Sequence, residues 1–287
     1  MKIALGTAQF GLDYGISNIS GKVSAGESAR ILETAALGGV RLVATAPVYG
    51  DAEQVLGEAG AAGRFAIVTK TARLDSGGVE GVEAGFDRSL ERLRVTSVYG
   101  LLVHSPGDLL AEEGQRLAAL LMRLRETGRV LRIGVSAYSA AQLERALGVL
   151  DVDLVQVPVS VFDQRLIADG TLARLKASGI EVHARSPFLQ GLLLMEPAAL
   201  PPQFEPIRNR CREWRAFCEK RGLSPLRAAL GFVAGLREVD SIVCGVETSG
   251  QLEEILAAAG PLDAAEFRAL ALDDPDFVDP HRWRVSA

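Results

Sequence analysis

Eight short runs of β-branched and aliphatic residues recur along the 287-residue chain, each separated from the next by a longer stretch with helical spacing. Such alternation points to a parallel sheet with helical crossovers, because consecutive parallel strands need a connection of about a dozen residues or more. The runs are Lys2–Leu5, Val40–Val43, Ala66–Thr69, Val98–Val103, Leu131–Val135, Asp153–Val157, Glu181–Ala184 and Ser241–Cys244. Eight βα units in a chain of this length predict an α/β fold of the (β/α)8 TIM-barrel type, one domain over residues 1–287.

The intervening stretches carry their own signals. Val79, Val82, Phe86, Leu90 and Leu93 fall on one face of a helix, and Leu117, Leu120, Leu121 and Leu124 repeat the pattern. Ser24 with Glu27, Ser139 with Gln142 and Thr248 with Gln251 spell capping boxes, and Gly128 follows a helix end. A longer interval, Pro187 to Asp240, contains Pro201-Pro202 and reads as an irregular excursion that walls a pocket at the strand ends. The segment after Asp273 has no clear period and is expected to lie across a barrel face.

Charge and composition narrow the function. The net charge is -5 with no basic cluster, so nothing marks a nucleic-acid or anionic-membrane partner. No segment approaches the roughly 20 apolar residues of a membrane span, and the N-terminus lacks a signal-like apolar core, so a cytoplasmic protein is expected. Cys211 and Cys218 are seven residues apart on one predicted helix, about 10 Å along its axis and beyond disulfide reach. With Cys244 they read as reduced, packed thiols, and neither His nor Cys has metal-ligand spacing. Small-molecule chemistry is the remaining class.

In such a barrel the active face is built after the carboxyl ends of the strands. Tyr49 follows the second run, Lys70 closes the third and His104 closes the fourth. Taken singly, each has a plainer role: a tyrosine packed on the rim, a solvated lysine, a hydrogen-bonded histidine. Together they could meet at one carbonyl, with the phenol as general acid, the ammonium depressing its pKa and the imidazole orienting the oxygen.

The joint arrangement resembles the aldo-keto reductase family. It runs through Gly6-Thr7-Ala8-Gln9-Phe10-Gly11, Thr45-Ala46-Pro47-Val48-Tyr49-Gly50 with Glu53, Val68-Thr69-Lys70, Leu102-Val103-His104-Ser105, Ile133-Gly134-Val135-Ser136, Gln156-Val157-Pro158, Ser186-Pro187-Phe188 and Gly245 to Leu252. The resemblance spans nearly the whole chain. It implies an oxidoreductase that binds NADP(H), or alternatively NAD(H), without a Rossmann motif and reduces a small aldehyde or ketone, sugar-like ones included. By it, Tyr49 is the proton donor, Lys70 its activator and His104 the orienting partner. Gly6, Thr7, Ser136, Gln156, Arg185, Ser186, Gly245, Glu247, Thr248 and Gln251 become the cofactor-binding set. No metal is implied. The loops around Tyr14, Phe162 and Pro187–Arg208 and the tail near Trp283 are expected to shape the substrate end.

Three departures stand out. The family's Asp after the second strand is Ala44 here, so Lys70 enters the pocket without its usual carboxylate. Either another acid such as Asp13 takes its place, or carbonyl reduction is weakened and the scaffold serves a variant chemistry: a lyase, isomerase or epimerase using the freed Lys70, or silent cofactor binding. Arg185 stands where an aromatic ring commonly stacks on the nicotinamide, and its planar guanidinium can also stack. Glu247 stands where NADP(H) users commonly place a base, which keeps NAD(H) open, although Thr248 and Ser249 at a helix start could still hold a phosphate.

Overall fold

The structure is a computed structural model that describes residues 2–75 and 77–283. Eight parallel strands close into a barrel in chain order: β1 (Ile3–Gly6), β2 (Leu42–Ala44), β3 (Ala66–Lys70), β4 (Val98–Val103), β5 (Val130–Ser136), β6 (Leu154–Pro158), β7 (Glu181–Arg185) and β8 (Ser241–Gly245). β8 pairs back onto β1, from Ile3 opposite Ile242 to Gly6 opposite Gly245. The expected barrel is therefore present, with each of the eight apolar runs forming a strand.

Several strands end one residue later than hydrophobicity suggests. Gly6, Ala44, Lys70, Ser136, Pro158, Arg185 and Gly245 are terminal strand residues. Backbone pairing continues past them, as Thr7 N–H donates to Ala44 O at 3.1 Å and Ala137 N–H to Gln156 O at 3.0 Å. Polar or glycine residues that look like loop in the sequence are thus held on the last rung of the sheet, where backbone hydrogen bonds position them.

Two apolar layers hold the barrel. Inside it, Ala4, Leu42, Ala44, Val68, Leu102 and Leu154 pack against one another, with Tyr99 and Val243 alongside. Between barrel and helices lies a much larger cluster that includes Ile31, Phe86, Leu90, Leu117 and Leu121. The helical stripes read from the sequence face this layer, since Val79, Val82, Phe86, Leu90 and Leu93 on the helix Gly78–Leu93 are all buried. The three capping signals hold: the side chains of Ser24, Ser139 and Thr248 accept from the N–H groups of Glu27, Gln142 and Gln251. Gly128, at φ 72, closes the helix Gly114–Glu126 as only glycine does without strain.

The Pro187–Asp240 excursion consists of short 3-10 turns followed by the helices Arg208–Lys220 and Pro225–Gly235. Cys211 and Cys218 sit buried on the first of these helices, and burial pushes both thiols up to about 11; Cys244, inside β8, is pushed to about 12. The tail packs against the excursion, with the Trp283 ring edge-on to Phe204 at 4.8 Å. Among the described residues no helix is long and apolar enough to cross a membrane.

Candidate active site

A cleft of about 450 Å³ opens at the carboxyl ends of the strands. Tyr49, Lys70, His104 and Ala44 all line it, as do Gly6, Thr7, Ser136, Gln156, Arg185, Ser186, Gly245, Glu247 and Gln251. Of the catalytic and cofactor-binding set read from the sequence, Thr248 alone does not; its side chain caps the helix Ser249–Ala258. The substrate-end expectation is met only in part. Tyr14 and the start of the excursion border the cleft, whereas Phe162 is buried in the core and Trp283 packs on Phe204.

At the floor, the Lys70 ammonium donates to the Tyr49 phenol oxygen at 3.2 Å and to Thr45 O at 3.1 Å. The Lys70 side chain is 3% exposed, and its nitrogen also lies 4.8 Å from the Tyr49 ring centre. Burial alone would raise the Tyr49 pKa. The Lys70 charge and hydrogen bond, helped by Arg185, outweigh it and bring the phenol below its usual 10.0. The His104 ring stands edge-on to Tyr49 with centres 6.2 Å apart, and its backbone N–H is fixed to Thr71 Oγ1 at 3.2 Å.

Neither nearby acid compensates for Ala44. Asp13 is exposed and lies beside Gly21 in the loop after β1, not at Lys70. Glu53, 1% exposed, is bonded to Thr69 Oγ1 at 2.7 Å and to the Arg92 guanidinium at 2.7 and 2.9 Å. It ties β3 to the helix Gly78–Leu93 from outside the barrel. Among the described residues no carboxylate forms an ion pair with Lys70, and Ala44 belongs to the apolar layer inside the barrel.

The walls carry groups suited to an aromatic amide ligand. Gln156 Nε2 is buried at the cleft wall without a protein partner, and Ser136 is paired with Gln156 across β5 and β6. Gln9 Oε1 is likewise buried and unpartnered. Its amide end lies close over Gly245, within 2.5 Å of where a Cβ on that residue would stand. Arg185 does stack on a ring, but on Tyr138, 3.8 Å above its centre, and it reaches Ala137 O at 3.4 Å. Burial, opposed by Arg185, pushes the Tyr138 phenol up to about 12, and it raises Tyr14 as well. After β7, Ser186, Leu189 and Gln190 have positive φ of 58, 47 and 53, a concentration of backbone strain at the cleft wall.

Sequence reasoning missed Gln9 and Tyr138 as cleft residues. Gln9 lay inside a motif that was read without assigning it a role. Tyr138 lines the cleft under the Arg185 guanidinium, a contact that no sequence spacing encodes. A further solvent-side contact, Gln190 Nε2 donating to Tyr14 OH at 3.2 Å, links the β7 loop to the loop after β1.

The fold is a closed eight-stranded parallel barrel with its cleft at the carboxyl ends of the strands. The family model described as "Aldo/keto reductase family" matches residues 2–271, and the chain belongs to that family. It is 26% identical over 270 residues to an L-galactose dehydrogenase of Arabidopsis thaliana, covering 87% of this chain and 83% of that protein. It is 30% identical over 171 residues to a glyoxal reductase of Bacillus subtilis, covering 58% of this chain and 60% of that protein. In fold it is similar to a solved aldo-keto reductase from Bacillus halodurans, with a TM-score of 0.77 at 18% identity, covering 98% of this chain and 95% of that one.

Proposed function

We propose that the chain is a nicotinamide-dependent reductase of a small, polar aldehyde or ketone, with Tyr49 as the acid/base. The observation that carries this is the buried Lys70 ammonium set 3.2 Å from a partly buried phenol whose pKa it lowers. Two relatives that carry L-galactose and glyoxal in their names support a sugar-like or short-chain carbonyl.

The residues fit the cofactor. Gln156 Nε2, buried and unpartnered beside Ser136, is suited to a ring carboxamide, and the cleft past Gly245 offers room for the rest of a dinucleotide. When bound, a nicotinamide supplies the hydride or takes it back. Tyr49 gives its proton to the carbonyl oxygen as charge develops there. Lys70 stabilises the phenolate left behind, and His104 borders the oxygen and limits its orientation. Burial of Lys70 keeps water from competing for these contacts.

The test is loss of nicotinamide absorbance with a panel of carbonyl substrates, using the intact chain and Tyr49→Phe. Turnover that vanishes in the variant supports the assignment, and turnover that survives at the original rate removes Tyr49 from it. The absence of a carboxylate at Lys70 favours one second reading, a lyase or isomerase that forms an imine on that amine. Borohydride trapping of a Lys70 adduct would support it; hydride transfer without trapping would eliminate it.

A further inference from the structure

The Tyr49 end of the cleft carries two cations and no acid. Lys70 and Arg185 are the terminal residues of β3 and β7, and both line the cleft. Among the described residues, the carboxylates that line it are Glu247, after β8, and Glu254, on the helix Ser249–Ala258. The third lining cation, Arg215, already has Glu196 at 3.1 Å. Lys70 has no such partner, because Ala44 stands in the apolar layer inside the barrel.

Arg185 is held in place without being neutralised. Its guanidinium lies 3.8 Å from the Tyr138 ring centre, and Nη2 donates to Ala137 O at 3.4 Å. Among the described residues no carboxylate forms an ion pair with it, and Asp163, in the loop after β6, gives each of its oxygens to Arg165 at 2.8 Å. Stacking fixes the plane of a guanidinium through its face, while the N–H groups lie in that plane and stay available as a fork for a carboxylate. The charge reaches the substrate end of the cleft. Burial raises Tyr14 and Tyr138 and works against ionisation of Tyr49, and Arg185 opposes burial at all three phenols.

We infer that the substrate is an oxo acid, an aldehyde or ketone that also carries a carboxylate, and that Arg185 binds this carboxylate while the carbonyl lies at Tyr49. The inference rests on the reading of the cleft as a carbonyl-reducing site and narrows the substrate of that site. A neutral ligand that displaces water from two unpaired cations leaves both uncompensated, whereas an anionic one offsets them. The carboxylate serves only as an anchor: hydride and proton are added to the carbonyl, and the product is the corresponding hydroxy acid. By position the family resemblance gives Arg185 to the nicotinamide, but one face of its guanidinium is covered by Tyr138.

The experiment compares kcat/KM of the full chain within matched pairs, succinic semialdehyde against butanal and D-glucuronate against D-glucose, with NADH and NADPH each as reductant. The acid member of each pair is expected to be favoured by about tenfold to a hundredfold, mostly through KM. In Arg185→Met that ratio should fall close to one. Because the ratio is taken within one protein, a general loss of activity cancels. Should Arg185→Met fail to fold, Arg185→Lys keeps the charge without the fork and should lower the ratio in part. A ratio near one in the unaltered chain, or one that the substitution leaves in place, overturns the assignment. Equal losses for both members together with weaker dinucleotide binding would give Arg185 to the cofactor and overturn it too. If the carbonyl panel shows no turnover at all, the reductase reading falls, and calorimetry with succinate, charged but without an aldehyde or ketone, decides the anion site. Succinate binding that Arg185→Met abolishes would uphold that site; no binding, or binding that the substitution leaves unchanged, would remove it.

Discussion

The barrel holds a partly buried tyrosine at each end, and the two are tuned in opposite directions. At the carboxyl end, Tyr49 meets an ammonium, and its pKa falls below 10.0 despite burial. At the amino end, Tyr99, second residue of β4, donates to Glu181 Oε2 at 2.6 Å, and Glu181 Oε1 meets His183 Nε2 at 2.7 Å. Burial first, then that carboxylate, pushes the Tyr99 phenol up to about 12. The same side chain becomes a usable acid beside a cation and an inert donor beside an anion. The difference matches the division of labour in such barrels, where the carboxyl face carries chemistry and the amino face carries stability.

The largest effect that sharpens this contrast is at the carboxyl end. Tyr49→Phe should lower kcat by about 10²–10⁴ with little change in dinucleotide Kd, because the group lost acts on the reacting carbonyl. Steady-state kinetics and calorimetry together check it. Next is pH. The phenol must be protonated for reduction, so the rate should hold at neutral pH and fall as pH climbs through the lowered Tyr49 pKa. Removing the cation with Lys70→Met should move that fall to higher pH and reduce the plateau, and an unmoved limb would detach Lys70 from the phenol. Placing a carboxylate beside Lys70 with Ala44→Asp should move the limb in the same direction by a smaller amount, since the added charge offsets part of the field.

The amino end should respond only in stability. Tyr99→Phe leaves Glu181 short of one donor and should cost about 1–2 kcal/mol, a Tm drop on the order of 2–3 °C, with kcat unchanged. A change in kcat there would erase the contrast. The smallest effect is expected at the start of the helix Ala25–Leu37, where Ser24→Ala removes one cap bond to Glu27 N–H and should cost about 1 kcal/mol by thermal melting.

The barrel was legible because its strands are apolar and its helices amphipathic, and both periods survive in one dimension. Tyr49, Lys70 and His104 were legible because polar residues directly after apolar runs must lie on one rim. The strand ends were shifted because hydrophobicity cannot tell that Lys70, Ser136 and Arg185 are last-rung residues held by backbone pairing. Asp13 was a reasonable substitute for the missing carboxylate by sequence position, but the loop after β1 carries it toward Gly21. Arg185 was read as a stacking group, and the ring it has chosen is Tyr138, which sequence spacing does not reveal. Least legible was the long-range contact of the helix Ser249–Ala258, where Ser249 N–H donates to Glu27 across 222 residues, and no local pattern encodes it.

The chain has four tyrosines: Tyr14, Tyr49, Tyr99 and Tyr138. Burial raises Tyr14 and carries Tyr99 and Tyr138 to about 12, so Tyr49 alone should ionise below 10.0. A near-ultraviolet titration of phenolate absorbance on the folded protein reads this directly. One tyrosine per chain titrating below 10.0, and missing from Tyr49→Phe, is the outcome expected of a phenol tuned by Lys70. No ionisation in that range, or one that persists in Tyr49→Phe, would contradict it.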